Sequence, residues 1–336
     1  MSARASIVPV FVPHWGCRHA CVFCDQRQIT GQRLPATART VEEAMRHAAA
    51  LPPGAKRQLA FYGGSFTAIP PQEQEKLLAA AQEYVRRGDL TSLRLSTRPD
   101  AIDEETLERL KRYDVETIEL GAQSMDDEVL RLCGRGHSAA DVEAASGQIK
   151  EAGFSLVLQM MTGLPGSSEE RDLETARRLR ALQPNAVRIY PTVIVRGTEL
   201  ERLWRAGLYT EHTVEDAVRV CAKLVPLFEE AGIPILRLGL NPTGELSGGA
   251  AVGGAYHPAL GELVRSRILR TRAEELLCGI EPGTSVTLGV NARELSQMIG
   301  QKRENIAYLK ERFMLKELTV RPIDTQAGEI HILKKA

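Results

Sequence analysis

Short runs of β-branched and other apolar residues alternate with longer stretches of helical periodicity along most of this chain. The runs fall at residues 7–12, 59–62, 93–96, 117–120, 155–160 and 187–190, with a weaker one at 233–238. Helical stretches between them carry caps and stops. Ser138 with Asp141 opens one that closes at Gly153, Ser167 and Ser168 precede one that stops before Pro184, and Thr213 with Asp216 opens one that ends at Gly232. This alternation predicts βα units around a parallel sheet. Six or seven units in about 240 residues point to an α/β fold, a full or partial βα (TIM-like) barrel with functional residues just after the strand C-termini. A flat doubly wound sheet has the same local pattern, and the motif positions favour the barrel.

Beyond residue 245 the pattern changes. Residues 241–261 are glycine-rich yet contain Tyr256, His257 and Pro258, which suit a lid or active-site loop better than a linker. A predicted helix follows with Arg265, Arg267, Arg270 and Arg272, the densest basic cluster in the chain. Residues 283–336 read β-α-α-β-β, with Gly300-Gln301-Lys302-Arg303 between the two helices. A tight helix-loop-helix with a glycine and two cations resembles the KH RNA-binding module, whose GXXG loop clamps a nucleotide backbone, although Arg303 stands where the second glycine would be. The small cap without a ligand is the alternative. The expected division is a barrel domain over 1–245, a loop and basic helix over 246–282, and a KH-like α+β domain over 283–336.

Charge adds a constraint. The 336 residues include 43 Lys plus Arg and 43 Asp plus Glu, which excludes a surface that is basic throughout, so any nucleic-acid contact must be local. No apolar run approaches a membrane span and the N-terminus lacks a signal-peptide pattern, so a cytoplasmic protein with no membrane partner is expected. Cysteines of a reducing compartment serve as metal ligands, catalysts or core residues rather than disulfides.

Three of the six cysteines cluster as Cys17-Arg18-His19-Ala20-Cys21-Val22-Phe23-Cys24, directly after the first predicted strand. Spacing C-x3-C-x2-C lets three thiolates converge on one inorganic centre from a single loop. Structural zinc wants a fourth ligand; no fourth cysteine lies nearby, and His19 would have to reach from an awkward position within the loop. A 4Fe-4S cluster held by three cysteines keeps one iron open. Zinc or inert thiols are the alternatives; Cys133, Cys221 and Cys278 are read as inert.

The triplet resembles the signature of the radical S-adenosylmethionine superfamily. The resemblance implies a 4Fe-4S cluster on Cys17, Cys21 and Cys24, and S-adenosylmethionine chelated at the open iron and cleaved to a 5′-deoxyadenosyl radical. It implies an adenine contact for Phe23. The other strand ends extend it. Gly63-Gly64-Ser65 is similar to the family's GGE-type turn that binds the methionine amino group, with Ser65 in place of Glu. Ser96 and Met161, at the ends of the third and fifth strands, are further cofactor-contact candidates, Met161 with core packing as its alternative. Gln123 and Arg135 match a ribose contact and a carboxylate contact in coproporphyrinogen dehydrogenases and Elongator catalytic subunits.

Residues 9 to about 265 look like the radical domain of the Elongator catalytic subunit family, which modifies the tRNA wobble uridine with acetyl-CoA. Only 56 residues follow Ile280, too few for that family's acetyltransferase domain, so acetyl-CoA-dependent transfer is not expected. The leading expectation is a radical enzyme modifying RNA, with tRNA at a wobble uridine as its target. Arg265, Arg267, Arg270, Arg272, Gly300, Lys302 and Arg303 are its RNA contacts. Ferredoxin or flavodoxin is the implied electron donor. Tyr190, Tyr256 and His257 are candidates for substrate contact or proton transfer. The alternatives are a radical oxidoreductase acting on a small molecule such as a porphyrin precursor, and a non-catalytic RNA-binding iron-sulfur protein.

Overall fold

A computed structural model describes residues 6–17, 19–32, 34–48 and 57–336. The chain divides into two compact units, Met1–Thr213 with Pro226–Tyr256, and Val214–Val225 with His257–Ala336. The break falls at 256/257, whereas the sequence suggested breaks at 245/246 and 282/283. Its cause is the packing of the arginine-bearing helix, whose Leu269, Ala273 and Leu277 belong to the core of the C-terminal unit.

The first unit is built on β1 (Ser6–Phe11), β2 (Arg57–Tyr62), β3 (Ser92–Thr97), β4 (Val115–Gln123), β5 (Ser155–Thr162) and β6 (Ala186–Pro191). A short β7 (Val193–Val195) and then β8 (Ile235–Leu238) and β9 (Ala251–Gly254) complete it. The helices of this stretch are α1 (Gln26–Thr30), α2 (Ala38–Ala48), α3 (Pro71–Arg86), α4 (Glu104–Lys111), α5 (Asp127–Leu132), α6 (Ala139–Glu151), α7 (Glu169–Ala181), α8 (Glu199–Arg205) and α9 (Val214–Glu229), the last shared between the units. Two of the predicted caps form: Ser138 and Asp141 make a capping box on α6, and Ser168 caps α7.

Seven strands join one parallel sheet in the order β1-β2-β3-β4-β5-β6-β8, with β1 and β8 at its open edges. This decides between the two candidate architectures. Strand order follows chain order without reversal, and right-handed crossovers then put every helix on one face. The sheet curls around its other face as a partial barrel; a doubly wound sheet would reverse at a switch point. Leu93, Leu95, Ile118, Leu120, Val187 and Ile189 are fully buried apolar positions. They alternate with Arg94, Ser96, Glu119, Gly121, Arg188 and Tyr190, which occupy the opposite, inner face. The lumen is polar.

The second unit contains α10 (Leu260–Leu277), β10 (Ser285–Asn291), α11 (Leu295–Ile299), α12 (Glu304–Arg312), β11 (Glu317–Ile323) and β12 (Ile330–Lys335), so the β-α-α-β-β reading matches its element order. Strand β10 lies centrally, parallel to β11 and antiparallel to β12. Its core joins Val286, Leu288 and Val290 to Met298, Leu309 and Leu318. Among the described residues no helix is long and apolar enough to cross a membrane.

Candidate functional site

A cavity of about 410 Å³ opens at the C-terminal ends of the sheet strands. Cys17, Cys21, Phe23, Cys24, Gly63, Gly64, Ser96, Gln123, Arg135, Met161 and Tyr190, all singled out in the sequence, line it together. They come from five strand ends and from the loop after β1. Seven strands starting at one end and finishing at the other deliver their following loops to one place, which is why residues 17 and 190 meet.

The cysteine loop is held from three sides. The Val12 N–H donates to the Tyr62 carbonyl at 2.7 Å, the His14 N–H to Gly63 at 3.0 Å, and the Ser65 N–H to Trp15 at 3.0 Å. Further along, the Val22 N–H reaches the Cys133 carbonyl at 3.1 Å, and its own carbonyl accepts from the Leu200 N–H at 2.7 Å. Two glycines interlock the loop with the turn after β2. A β-carbon on Gly16 (φ +77°) would stand 2.1 Å from the Ser65 carbonyl oxygen, and one on Gly64 would stand 2.3 Å from the Val12 oxygen. Gly134 and Gly136, both at positive φ, leave room for Ala20 and for the His19 ring on the far side. His19 therefore packs against Gly136 and does not line the cavity.

Burial raises the thiol of Cys17 and pushes that of Cys24 up to about 12, with the neighbouring Cys21 adding to both. The Arg98 and Arg135 guanidiniums pull the other way at Cys17. Arg135 Nη1 lies 3.2 Å from Cys21 Sγ, and Gln26 donates to Cys24 Sγ at 3.3 Å. Such donors favour thiolate over thiol. Among the described residues no three His, Cys, Asp or Glu side chains are closed into a preformed ligand set. The three thiols instead share one cavity wall beside two buried guanidiniums. That donor set, soft sulfur beside fixed positive charge, suits an anionic iron-sulfur cluster.

Arg135 is threaded between its two glycines and donates to the Gly121 carbonyl at 2.8 Å. Its own carbonyl accepts from Arg98, which also forms a two-point pair with Asp100 at 2.9 and 3.3 Å. Gln123 stands at φ +66°, where β4 slips register against β5. The ring of His137 is held neutral, its pKa lowered to about 4 by burial and by Arg135, and it faces the Ala122 carbonyl at 3.2 Å. A neutral ring donating there pins the bulge that turns Gln123 into the cavity.

Several expected residues lie elsewhere. Ser65 is fully buried outside the cavity wall, its hydroxyl 3.1 Å from that of Thr97, so it acts as a strut. Tyr256 packs with Val193, Val195 and Leu246, its hydroxyl 2.8 Å from Ser247. His257 belongs to the second unit and accepts from the Ala259 N–H at 3.1 Å at the start of α10. The α10 arginines do not form one stripe. At about 100° per residue, Arg265 and Arg272 share one side of the helix while Arg267 and Arg270 face away from them. Arg267 pairs with Glu215, Arg270 lies 4.4 Å over the Tyr308 ring, and Arg272 donates to the Gly328 carbonyl at 2.7 Å. Lys302 and Arg303 are exposed, both with left-handed backbone. Arg303 thus adopts at φ +65° a conformation that favours glycine.

Sequence reading missed Glu119 and Arg188 on the lumen face, and Gly16 beside the cysteines. The signal for the first pair was present: charged residues in the middle of strands that are otherwise apolar, at alternating positions.

Residues 12–179 match the family model for the radical SAM superfamily, and 184–270 match that for its C-terminal domain. A tRNA uridine(34) acetyltransferase of Methanocaldococcus infernus is 32% identical over 154 residues, 44% of this chain and 29% of that protein. One from Dehalococcoides mccartyi is 37% identical over 121 residues, 35% of this chain and 26% of that protein. The chain therefore spans under a third of the length of these curated relatives. The structure of the archaeal M. infernus Elp3 with an N-terminal deletion superposes with TM-score 0.64 at 21% identity, covering 81% of this chain and 64% of that one. Half of the chain, from the cysteine loop through α7, thus carries the family pattern on the family's fold. It belongs to the radical S-adenosylmethionine superfamily, an enzyme family that works with a 4Fe-4S cluster and S-adenosylmethionine.

Proposed function

We propose that this protein is a radical enzyme of the cytoplasm that modifies tRNA, its target a wobble uridine as in the relatives named above. The observation that carries the radical part is the convergence of Cys17, Cys21, Cys24, the Gly63-Gly64 turn, Gln123 and Arg135 on one cavity. When bound, the reduced cluster supplies the electron that cleaves S-adenosylmethionine to methionine and a 5′-deoxyadenosyl radical. Cys17, Cys21 and Cys24 hold the cluster. The backbone at Gly63 and Gly64, bare of side chains, takes the amino group, and Arg135 takes the carboxylate as a charge-assisted pair. Gln123 would contact the ribose, Ser96 would be a further contact from the same cavity, and Phe23 and Met161, packed against one apolar cluster, would offer the adenine apolar, polarizable surface. Ferredoxin or flavodoxin serves as the one-electron donor.

Similarity to tRNA uridine(34) acetyltransferases supports the RNA substrate. The exposed Lys302 and Arg303 of the 300–303 turn are its leading phosphate contacts, with Gly300 allowing close approach. Arg265, Arg267, Arg270 and Arg272 are demoted to secondary contacts, because at least three of them are engaged within the protein. Affinity for bulk tRNA should fall with salt, by a log–log slope of about 0.7 to 0.9 per phosphate contacted. The double variant Lys302→Glu/Arg303→Glu should bind at least roughly tenfold more weakly with a shallower slope. Unchanged affinity and slope would remove the turn from the interface. The functional test is mass spectrometry of tRNA nucleosides from cells with and without the gene. One nucleoside should disappear and its precursor accumulate; identical profiles would overturn the tRNA reading.

A further inference from the structure

Deep in the lumen, three strands bring two guanidiniums onto one carboxylate. Arg188 Nε lies 2.7 Å from Glu119 Oε2, and its Nη2 donates to Glu119 Oε1 at 3.1 Å. Arg94 approaches the same carboxylate through Nε at 3.4 Å. All three residues are at least nine-tenths buried. Two phenols complete the cluster: Tyr62 donates to Glu119 Oε1 at 2.6 Å while accepting from Arg188 Nη2 at 2.9 Å, and Tyr190 accepts from Arg188 Nη1 at 3.3 Å. Tyr62, Glu119, Arg188 and Tyr190 line the cavity wall.

Two features set this cluster apart from an ordinary internal ion pair. First, its charge does not balance, since two cations share one anion. A buried ionic group of this kind gives little net stability over apolar packing, and an unbalanced one costs more. Second, hydrogen-bonding capacity is left over. Among the described residues the Nε atoms of Arg94 and Arg188 are buried without a hydrogen-bond partner, close as they lie to Glu119, and the Tyr190 hydroxyl, whose oxygen accepts from Arg188, still has its own proton to give. Surplus positive charge, with Arg188 and the Tyr190 O–H at the cavity wall and Arg94 behind them, is the complement of an oxyanion.

We infer that this cluster is a binding subsite for the carboxylate or phosphate group of a small co-substrate, bound beside S-adenosylmethionine. The inference rests on the radical reading for the presence of that neighbour, and adds a substrate class to it. Tyr190 donates to the anion, Arg188 and Arg94 supply the charge, and Glu119 holds the two guanidiniums in place while tempering their field. Arg135 and Arg98, near the cysteines, belong to the cofactor end of the cavity. The subsite is thus separate from the S-adenosylmethionine carboxylate contact.

The test is calorimetric titration of the anaerobically reconstituted holoenzyme, saturated with S-adenosylmethionine at low ionic strength, using acetate, malonate and inorganic phosphate as probes. At least one should bind at a single saturable site. Arg188→Gln and Arg94→Gln should weaken it by about tenfold or more, and Glu119→Gln, which raises the surplus charge, should tighten it. Tyr190→Phe keeps the packing and the charge and should still weaken binding several-fold, which guards against misreading an unstable arginine variant. Preference for malonate and acetate identifies a carboxylate and preference for phosphate a phosphate ester; either supports the subsite. No saturable binding to the wild type, or equal affinity in Arg188→Gln and Tyr190→Phe, would overturn it and leave a water-filled lumen. Anion binding is read without turnover or tRNA. It can therefore stand while the nucleoside profile rejects the tRNA reading, and it can fail while that reading holds.

Discussion

Replacing Cys17, Cys21 or Cys24 singly with alanine should leave a folded chain that no longer holds its iron. The three thiols share one wall of one cavity, and the loop that carries them is fastened by backbone hydrogen bonds that do not involve sulfur. Loss of one of these proposed ligands should therefore remove the cluster without unravelling the loop. Iron and acid-labile sulfide should fall to background, and formation of 5′-deoxyadenosine should drop on the order of a hundredfold or more, because the cofactor carries the chemistry. The other cysteines are the controls. Cys278 is exposed and Cys221 is buried in a helix, and neither lines the cavity. Cys133 is also buried beside the loop, its carbonyl accepting from the Val22 N–H and its side chain in an apolar cluster against which Val22, Phe23 and Met161 pack, and it does not line the cavity. Cys133→Ala should cost about 1 kcal/mol of stability as a small cavity and keep the iron. Iron retained in the Cys17, Cys21 and Cys24 variants, or lost equally in Cys278→Ala, would contradict the ligand assignment.

Gly64→Ala should be nearly as damaging, for a different reason. The added methyl would lie 2.3 Å from the Val12 oxygen and 2.5 Å from the Trp15 oxygen, both backbone atoms that cannot turn aside. The cysteine loop or the turn after β2 must move, at an expected cost of about 2 to 4 kcal/mol. The observable result is a lower unfolding midpoint together with reduced iron content. Gly63→Ala offers the contrast. Its φ of +90° strains any side chain, yet the methyl meets nothing nearer than 3.4 Å, the Gln26 amide oxygen, and its neighbours Gln26, Phe11 and Thr30 all line the cavity. That variant should keep most of its iron and raise the KM for S-adenosylmethionine. Equal iron content in wild type and Gly64→Ala would show that the interlock between loop and turn does not position the cluster.

The barrel was legible in the chain because each βα unit announces itself locally, through an apolar run, a cap and a stop. Its motifs were legible because they fall at strand ends, where a parallel sheet collects them. What periodicity conveys is which face a residue occupies, not what it meets there. Ser65 sits in the recognisable turn, yet its side chain leaves the cavity for Thr97. The α10 arginines are close in sequence, but 3.6 residues per turn distributes them to two sides of the helix, and packing engages them. Tyr256 and His257 drew attention as polar aromatic residues in a glycine-rich stretch, and each has a local structural partner instead. The lumen charges went unread for the converse reason. Buried parallel strands are expected to be apolar on both faces, and Glu119 and Arg188 become meaningful only once the curl of the sheet turns one face into a cavity wall.

The two-unit division bears on the substrate. The cavity belongs wholly to the first unit and the 300–303 turn to the second. Chemistry and RNA contact are thus expected to be separable by mutation. Variants at Lys302 and Arg303 should impair tRNA binding while leaving cleavage of S-adenosylmethionine intact, and cysteine variants should do the reverse.

Reductive cleavage of S-adenosylmethionine in this cavity leaves two products that can be counted. The purified chain is reconstituted anaerobically with iron and sulfide, reduced with dithionite and incubated with S-adenosylmethionine, and the products are followed by liquid chromatography. Methionine and 5′-deoxyadenosine should accumulate together in equal amounts, dependent on the reductant and on Cys17, Cys21 and Cys24. A fully loaded, reduced protein that binds S-adenosylmethionine and forms neither product would contradict the account.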